Sequence, residues 1–490
     1  MTFSRDAFLS VRALIFCFLA LIVIRMLLAY GLPVIDTTEA RYAEIARKMW
    51  ALQDWITPWH GDGDPFWGKP PLAFWLSALS MGVFGSNEFA ARLPALLASL
   101  GTVGLVMKFA YVQYGDLRRA LATGLVLFSS LLFFVFSATV MLDAALVFCI
   151  TLSQVSFWFA MTERGKQYGY LFFVGLGLGL LAKGPLAVVL VGIPIFFWVL
   201  LRNHWLLLWQ RLPWISGTLL AALIAIPWYV LAELKTPGFL QYFIIGEHFG
   251  RFLDPGWQGD RYGWAHETVR GAIWGYFLVS MLPWCGLWLY LRKTGCVLRS
   301  AVKTKPTTLS DDSTLYVLFW MLAALLFFSL SRNTIMPYAM PALPAAALLL
   351  SENLWQLSLT ARKRWVLGAT GFVGAIGVAL FIASQMPSVQ GTLNTYKTVI
   401  EWVPETQQEQ LYIWDKRNFS AEFYSHNRVQ YLHSPSEVMD LAEQAQPVYI
   451  VLRRKEWQEA GIDPQQWQVW RSLQINNKPY DILTNKTDSL

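Results

Sequence analysis

Ionisable residues border several strongly apolar segments of this chain, where a charged side chain is costly unless it has a partner or a function. Four of them lie in the polar stretch 35–75, and the others flank later apolar segments. The set comprises Asp36, Glu39, Arg41, Lys69, Asp143, Lys183, Glu247, Arg251 and, in the sequence SRNTIMPY, Tyr338. Acidic and basic groups that converge on one face of a protein can hold an anion and activate a nucleophile.

Several of these residues also have a purely structural interpretation. Asp36 and Glu39 have the spacing of a capping box in front of a helix, with Asp36 as the N-cap and Glu39 at the third helical position. Asp143 could cap the apolar helix that it begins, and Lys183 could extend its ammonium group to a membrane surface. Arg251 could be a solvated loop charge. The sequence leaves the structural and the functional interpretation open for each residue.

The composition indicates a protein that crosses a membrane many times. Hydrophobic residues make up 55% of the 490 residues and charged residues only 14%, and there are 24 Trp and 32 Phe. This is more apolar surface than a soluble domain buries. The net charge of +7 comes from basic residues in short loops, which membrane topology explains without a nucleic-acid partner. The four cysteines show no CxxC spacing, so neither a disulfide framework nor a zinc site is indicated.

Eleven apolar segments are long enough to cross a bilayer, which takes about 20 residues. They are 8–31, 88–112, 118–140, 143–162, 167–183, 185–201, 213–234, 269–291, 314–331, 335–353 and 365–385. The segment 71–84 is too short to span and is predicted to be a surface or re-entrant helix.

Clusters of basic residues predict which side each loop faces. With the N-terminus in the cytoplasm, every short loop with clustered basic residues falls on the cytoplasmic side, including the loop with Arg299, Lys303 and Lys305. The opposite side then receives the loop 35–75, the loop 235–268 and the chain after residue 386. We therefore expect a transmembrane domain over 1–386, with a catalytic first outer loop over 32–87.

The tail after residue 386 has a different pattern. Strand-like runs (LYIW, VQYL and VYIVL) alternate with a helical segment, SPSEVMDLAEQAQ. This pattern predicts a small α/β domain over 387–490, outside the membrane.

Several motifs occur in an order that resembles a known family of membrane enzymes. They are TEARYAEIARKM, DWITP, FWGKPPLAFW, FGSNEFAARLPA, VMLDAALVF, LLAKGPLA, IPWYVLAE, GEHFGRF and TIMPYAMPALPA. This series resembles the bacterial GT-C glycosyltransferases related to protein O-mannosyltransferases, and it is most similar to the lipid A aminoarabinose transferases. The resemblance implies an α-helical, polytopic GT-C membrane core with surface helices in the first periplasmic loop, and a periplasmic C-terminal domain.

The family reaction moves a sugar from a polyprenyl phosphate carrier to an acceptor at the outer face of the bacterial inner membrane, with inversion at the anomeric carbon. The resemblance implies that Lys69 of GKPP, Arg251 of HFGRF and Tyr338 of MPY bind the carrier phosphate. Arg41 of EARY matches a basic residue nearby and is a further candidate for binding the carrier phosphate, and Lys183 and Glu247 are other site candidates.

The resemblance also implies a carboxylate that accepts a proton from the acceptor. Asp143 matches an aspartate of the family, and Glu39 matches the acidic residue before the ARY triplet. The related transferases commonly have Asp-Glu there, whereas this chain has Thr38-Glu39 with an aspartate displaced to Asp36. They also often have glutamate at the position of Gly68. A phosphate acceptor would need little base, whereas a hydroxyl acceptor would need Asp36 or Glu39 together with Asp143, and both acceptors stay open.

We therefore expect a glycosyltransferase of the inner membrane whose partners are an undecaprenyl phosphate-linked sugar, membrane lipids and an acceptor such as lipid A. No cofactor is required, because lysine and arginine can neutralise the phosphate. His60, Asp62 and Asp64 could bind a divalent ion, but a solvated turn explains them as well. The alternatives are a protein O-mannosyltransferase-like enzyme, a non-catalytic lipid or sugar transporter, and an inactive scaffold. The absence of inverted repeats in the sequence disfavours the transporter.

Overall fold

The computed structural model describes residues 10–254, 257–263, 266–293, 312–414 and 416–485. The predicted cytoplasmic charges at 299, 303 and 305 lie outside the described residues. The first half of the chain forms α1 (Val11–Gly31), α2 (Thr38–Leu52), β1 (Trp59–Gly61), β2 (Asp64–Pro65), α3 (Leu72–Phe84), α4 (Glu88–Tyr114), α5 (Leu117–Phe128), α6 (Leu131–Phe136), α7 (Asp143–Met161), α8 (Gln167–Lys183), α9 (Leu186–Arg202), α10 (Trp205–Arg211) and α11 (Trp214–Lys235).

The second half begins with a π-helix, Gln241–Gly250, and contains a 3-10 helix, Met336–Ala342, ahead of α16. Its α-helices are α12 (Arg251–Leu253), α13 (Ala272–Ser280), α14 (Cys285–Lys293), α15 (Ser313–Ser329), α16 (Leu343–Gln356), α17 (Leu359–Ser384), α18 (Pro387–Gln390), α19 (Lys397–Trp402), α20 (Phe419–Ser425) and α21 (Pro435–Ala442). Its strands are β3 (Leu411–Trp414), β4 (Gln430–Leu432), β5 (Tyr449–Arg453), β6 (Gln468–Ile475) and β7 (Lys478–Thr484).

Long apolar helices dominate the first 385 residues. Five of the described helices (α1, α4, α7, α11 and α17) are long and apolar enough to cross a membrane, and α3, α9 and α15 are shorter apolar helices. These helices confirm a helical membrane protein with several spans. The count of eleven spans and the direction in which each loop faces stay predictions.

Two of the predicted spans are interrupted at places that touch each other. Between α5 and α6, the hydroxyls of Ser129 and Ser130 donate to carbonyls one turn earlier, at 2.5 and 2.7 Å, which bends helices. Between α13 and α14, Pro283 cannot donate a helical hydrogen bond. The indole N–H of Trp284 donates to the Ser129 hydroxyl at 3.0 Å. The two interruptions therefore lie side by side in the bundle.

The C-terminal region contains a five-stranded sheet of order β4-β3-β5-β7-β6. Strands β4, β3 and β5 are parallel, and β7 and β6 add to the sheet antiparallel. The three predicted strand runs correspond to β3, β4 and β5, and the predicted helical segment contains α21. The expected small C-terminal α/β region is thus confirmed.

This region docks on the first loop through α20, which packs on α2. Phe419 and Phe423 of α20 share an apolar cluster with Tyr42, Phe66 and Phe74 of the first loop. The contact brings the C-terminal region to one wall of the cavity described next.

Candidate active site

A polar cavity of about 520 Å³ lies where the first loop meets the ends of α7 and α8, the π-helix and the 3-10 helix. Seven of the nine residues predicted from the sequence line it: Arg41, Lys69, Asp143, Lys183, Glu247, Arg251 and Tyr338. Residues that are up to about 300 positions apart in the chain therefore share one compartment. The other two, Asp36 and Glu39, are not among its lining residues.

Glu247 lies between two of the predicted phosphate-binding cations. Its carboxylate accepts from Lys69 Nζ at 2.7 Å and lies 3.4 Å from Arg251 Nη1. Burial alone would raise the pKa of Glu247, but the charges of Lys69 and Arg251 outweigh it and lower that pKa. The glutamate is therefore an anion at neutral pH. Arg251 also lies 3.4 Å from Asp260, so it is an ion-paired residue and not a solvated loop charge.

Asp143 and Lys183 form a second ion pair in the cavity, with Lys183 Nζ 2.7 Å from Asp143 Oδ1. Asp143 is the first residue of α7 and the N-cap is Leu142, so the interpretation of Asp143 as a cap is wrong. The Lys183 side chain is only 11% exposed, so it does not extend to a membrane surface. Its ammonium group lies 4.9 Å from the centre of the Tyr338 ring.

An apolar cleft of about 350 Å³ adjoins the polar cavity. It is lined mainly by aliphatic and aromatic side chains, including Leu186, Val189, Phe249, Phe252, Leu253 and Phe327. The cleft and the cavity share five lining residues, namely Lys69, Lys183, Glu247, Arg251 and Tyr338. The charged groups therefore stand at the junction of an apolar and a polar compartment.

Asp36 is bound to the C-terminal region instead of facing the cavity. Its carboxylate accepts from the hydroxyl of Ser420 and from the Ser420 N–H at 3.2 Å. Burial raises the pKa of Asp36 to about 6, although both hydrogen bonds from Ser420 act to lower it. The N-cap of α2 is Thr37, so the capping box predicted for Asp36 and Glu39 is wrong.

Glu39 forms a bidentate ion pair with Arg92 of α4, with both N–O distances at 2.8 Å. Arg92 is 4% exposed and also donates to the backbone carbonyls that follow α1. Burial would raise the pKa of Glu39, but Arg92 outweighs it and lowers that pKa. A role of Asp36 or Glu39 as the base stays a prediction, and the contacts of both residues are those of structural groups.

The cavity also contains residues that the sequence did not predict as part of a site. Arg261, Tyr262 and His266 come from the loop after α12, and Arg417 and Phe419 come from the C-terminal region. The motifs in the first 350 residues do not indicate that the C-terminal region reaches the polar cavity. Docking depends on packing, which a local pattern does not reveal.

The predicted polar turn is the hairpin of β1 and β2. His60 Nδ1 lies 3.1 Å from Asp64 Oδ2, whereas the exposed Asp62 lies 3.6 Å from Lys48. In the part of the chain that the structure describes, no cluster of three histidine, cysteine, aspartate or glutamate residues could hold a metal ion. The expectation that the reaction needs no metal stays a prediction.

Known transferases are similar to this chain in sequence and in fold. Residues 9–243 match the family model described as dolichyl-phosphate-mannose-protein mannosyltransferase.

Among curated proteins, the chain is similar to bacterial enzymes named undecaprenyl phosphate-alpha-4-amino-4-deoxy-L-arabinose arabinosyl transferase. The protein from Enterobacter sp. (strain 638) is 29% identical over 355 residues, which are 70% of this chain and 60% of that protein. The protein from Pseudomonas aeruginosa (strain LESB58) is 32% identical over 336 residues, which are 67% of this chain and 56% of that protein. The chain thus spans about 60% of the length of these curated relatives.

The fold is similar over nearly the whole chain to that of ArnT from Cupriavidus metallidurans. The crystal structure with bound undecaprenyl phosphate matches with a TM-score of 0.74 at 18% identity, covering 96% of this chain and 98% of that one. The apo crystal structure matches with a TM-score of 0.72. The family resemblance drawn from the sequence motifs is confirmed, and the roles of individual site residues rest on the geometry described above.

Proposed function

We propose that this protein is an inverting glycosyltransferase that moves a sugar from a polyprenyl phosphate to an acceptor at one membrane face. One observation carries the proposal: the apolar cleft and the polar cavity meet at Lys69, Lys183, Glu247, Arg251 and Tyr338. A polyprenyl phosphate sugar has a lipid tail, a phosphate and a polar sugar in that order. Its tail fits the cleft, its phosphate the charged junction and its sugar the cavity.

The phosphate is the leaving group, and its charge rises as the glycosidic bond breaks. Lys69, Arg251 and the Tyr338 hydroxyl would bind that charge, since fixed cations and donors stabilise a developing anion in a water-poor site. Glu247 pairs with both Lys69 and Arg251. Its carboxylate holds the two cations in place at the junction, and the phosphate would take over their contacts.

The transfer step forms a bond from an acceptor oxygen to the anomeric carbon and breaks the bond from that carbon to the phosphate oxygen. The phosphate keeps the bonding electrons, and attack from the opposite face inverts the configuration. Asp143 would accept the proton of an acceptor hydroxyl, because it is the carboxylate of the predicted base set that lines the cavity. Lys183, at 2.7 Å, would hold the Asp143 carboxylate in place through their ion pair.

The names of the relatives support undecaprenyl phosphate-linked 4-amino-4-deoxy-L-arabinose as the donor to test first. The resemblance to lipid A aminoarabinose transferases makes lipid A the first acceptor. The basic loops support a bacterial inner-membrane protein with eleven spans and a cytoplasmic N-terminus. In this topology the transmembrane domain 1–386 carries the cavity on its periplasmic side, where the domain 387–490 covers it.

The test is transfer by the purified protein in detergent, with the labelled donor and lipid A, followed by mass spectrometry of the product. We expect wild-type transfer, and a loss of about 10² to 10⁴ in turnover for Asp143→Asn. The control is Asp116→Asn, which changes a carboxyl to an amide at the N-cap of α5 and outside the cavity. No product from the wild type with several donors would overturn the proposal. Full turnover by Asp143→Asn would remove Asp143 as the base and favour a phosphate acceptor.

A further inference from the structure

The polar cavity holds more cations than a single donor phosphate needs. Six lysine and arginine side chains line it, against three carboxylates. The carboxylates Asp143, Glu247 and Asp260 pair with Lys183, Lys69 and Arg251. The cations that remain are Arg41, Arg261 and Arg417, here called the arginine group.

The arginine group surrounds one patch of aromatic rings made by His60, Phe66 and Tyr262, whose rings pack on one another. Arg41 donates to the Tyr262 carbonyl and lies 5.5 Å from the centre of the Phe66 ring. Arg417 Nη1 lies 3.4 Å from His60 Nδ1. Arg261 lies 3.5 Å from Asp64, which in turn contacts His60. The three guanidinium groups thus lie around one aromatic patch of the cavity wall, and they belong to residues other than the two cations that contact Glu247.

Within the arginine group, Arg41 is the residue whose positive charge is balanced least by neighbouring groups. No carboxylate lies within ion-pair distance of it among the residues that the structure describes. Its Nε is buried and has no hydrogen-bond acceptor in the same part of the chain. Arg41 as a whole is only partly buried and lines the cavity, so an anion that enters the cavity can pair with its guanidinium group.

Arg417 reaches the cavity from the C-terminal region and is held there in a fixed orientation. Glu422 accepts from its Nε at 2.5 Å and from its Nη2 at 2.7 Å, which leaves Nη1 outside this bidentate pair. Glu422 is also 3.6 Å from Lys48, so its charge is shared between two cations. Gly61 gives Arg417 room, since a Cβ atom there would lie 3.2 Å from Nη1.

We propose that the C-terminal region is part of the active site, and that its Arg417 joins Arg41 and Arg261 in a second anion subsite that receives a negatively charged group of the acceptor. The inference rests on the proposed transfer reaction. It assigns Arg41 to binding of the acceptor, whereas the sequence had predicted that Arg41 binds the donor phosphate. It also gives the C-terminal region a direct role in acceptor binding in addition to its packing on α2.

The experiment uses the full-length protein and compares Arg417→Gln with Arg454→Gln. Arg454 makes a similar bidentate pair with Asp481 in the same C-terminal region, but it does not line the cavity. Initial rates are measured while the donor and lipid A are varied separately. We expect Arg417→Gln to raise the KM for lipid A about tenfold or more, which is the effect of losing one charge-assisted hydrogen bond. Its KM for the donor should stay near that of the wild type, and Arg454→Gln should change neither KM. Each variant removes the partner of a buried carboxylate, Glu422 or Asp481, so both should lower the melting temperature.

A binding measurement separates this inference from the reaction itself. N-acetylglucosamine 1-phosphate and uncharged N-acetylglucosamine are titrated calorimetrically into the wild type and both variants. Binding of the phosphorylated sugar alone, lost in Arg417→Gln and kept in Arg454→Gln, supports the subsite even if no transfer is detected. Active transfer with an unchanged lipid A KM in Arg417→Gln would overturn the subsite and leave the proposed reaction standing. Equal binding of both sugars by all three proteins would overturn the subsite as well.

Discussion

Glu39→Gln separates a structural carboxylate from a catalytic one. The change removes the negative partner of Arg92, which is 4% exposed, and leaves a buried cation without a counter-charge. Breaking a buried ion pair in this way costs about 3 to 5 kcal/mol of folding free energy. A glutamine keeps a hydrogen-bond acceptor near Arg92, so we expect the lower end, about 3 kcal/mol. The variant should therefore melt several degrees below the wild type and keep the turnover of each folded molecule.

The assay is thermal unfolding in detergent, together with turnover normalised to folded protein, over a range of pH. Because Arg92 lowers the pKa of Glu39, the ion pair contributes stability above the unfolded value of 4.5, and this is lost as the pH falls through the lower folded value. The gap in melting temperature between the wild type and Glu39→Gln should consequently close in acid. An unchanged melting temperature with turnover reduced by about 10² or more would refute this reasoning and make Glu39 the base.

Two further predictions concern the docked C-terminal region and the topology. Burial raises the pKa of Asp36 to about 6, so the stability contributed by its protonated form is lost as the pH rises from 3.8 to about 6. Asp36→Asn should remove that step from a plot of melting temperature against pH, and an identical plot would contradict the burial of an ionisable Asp36. In a background without native cysteines, Asp62→Cys and Glu443→Cys should react with an impermeant thiol reagent added outside the inner membrane, whereas Arg118→Cys should not. Labelling of Arg118→Cys in sealed cells would contradict the predicted topology. Thr304, another cytoplasmic position in the predicted topology, lies outside the described residues.

The sequence motifs were enough to predict most of the lysine, arginine, aspartate and glutamate residues that line the cavity. Lys69, Asp143, Glu247, Arg251 and Tyr338 stand beside apolar segments, where an ionisable side chain needs a partner or a function, and the structure brings all five together. The strands of the C-terminal sheet were also predictable, because alternation of apolar residues is a local signal. These parts depend on short stretches of sequence.

The partners of the acidic residues were not predictable in this way. Glu39 pairs with a residue 53 positions away, and Asp36 with one 384 positions away. At such separations, the choice between a cap, a base and an ion pair depends on which helices pack together. The local spacing of Asp36 and Glu39 suits a capping box equally well, so spacing alone gave the wrong structural role. Arg417 was missed for the same reason, since its place in the cavity follows from the docking of α20 on α2.

The most direct test of the account is the equilibrium binding of undecaprenyl phosphate to the purified protein. Lys69→Ala is compared with the wild type and with Lys235→Ala, which removes a lysine that pairs with Asp54 and does not line the cavity or the cleft. We predict that the wild type and Lys235→Ala bind the lipid equally, and that Lys69→Ala binds it about tenfold or more weakly because one charge-assisted contact to the phosphate is lost. Equal affinity of all three proteins for undecaprenyl phosphate would contradict the placement of the donor phosphate at the junction of the cleft and the cavity.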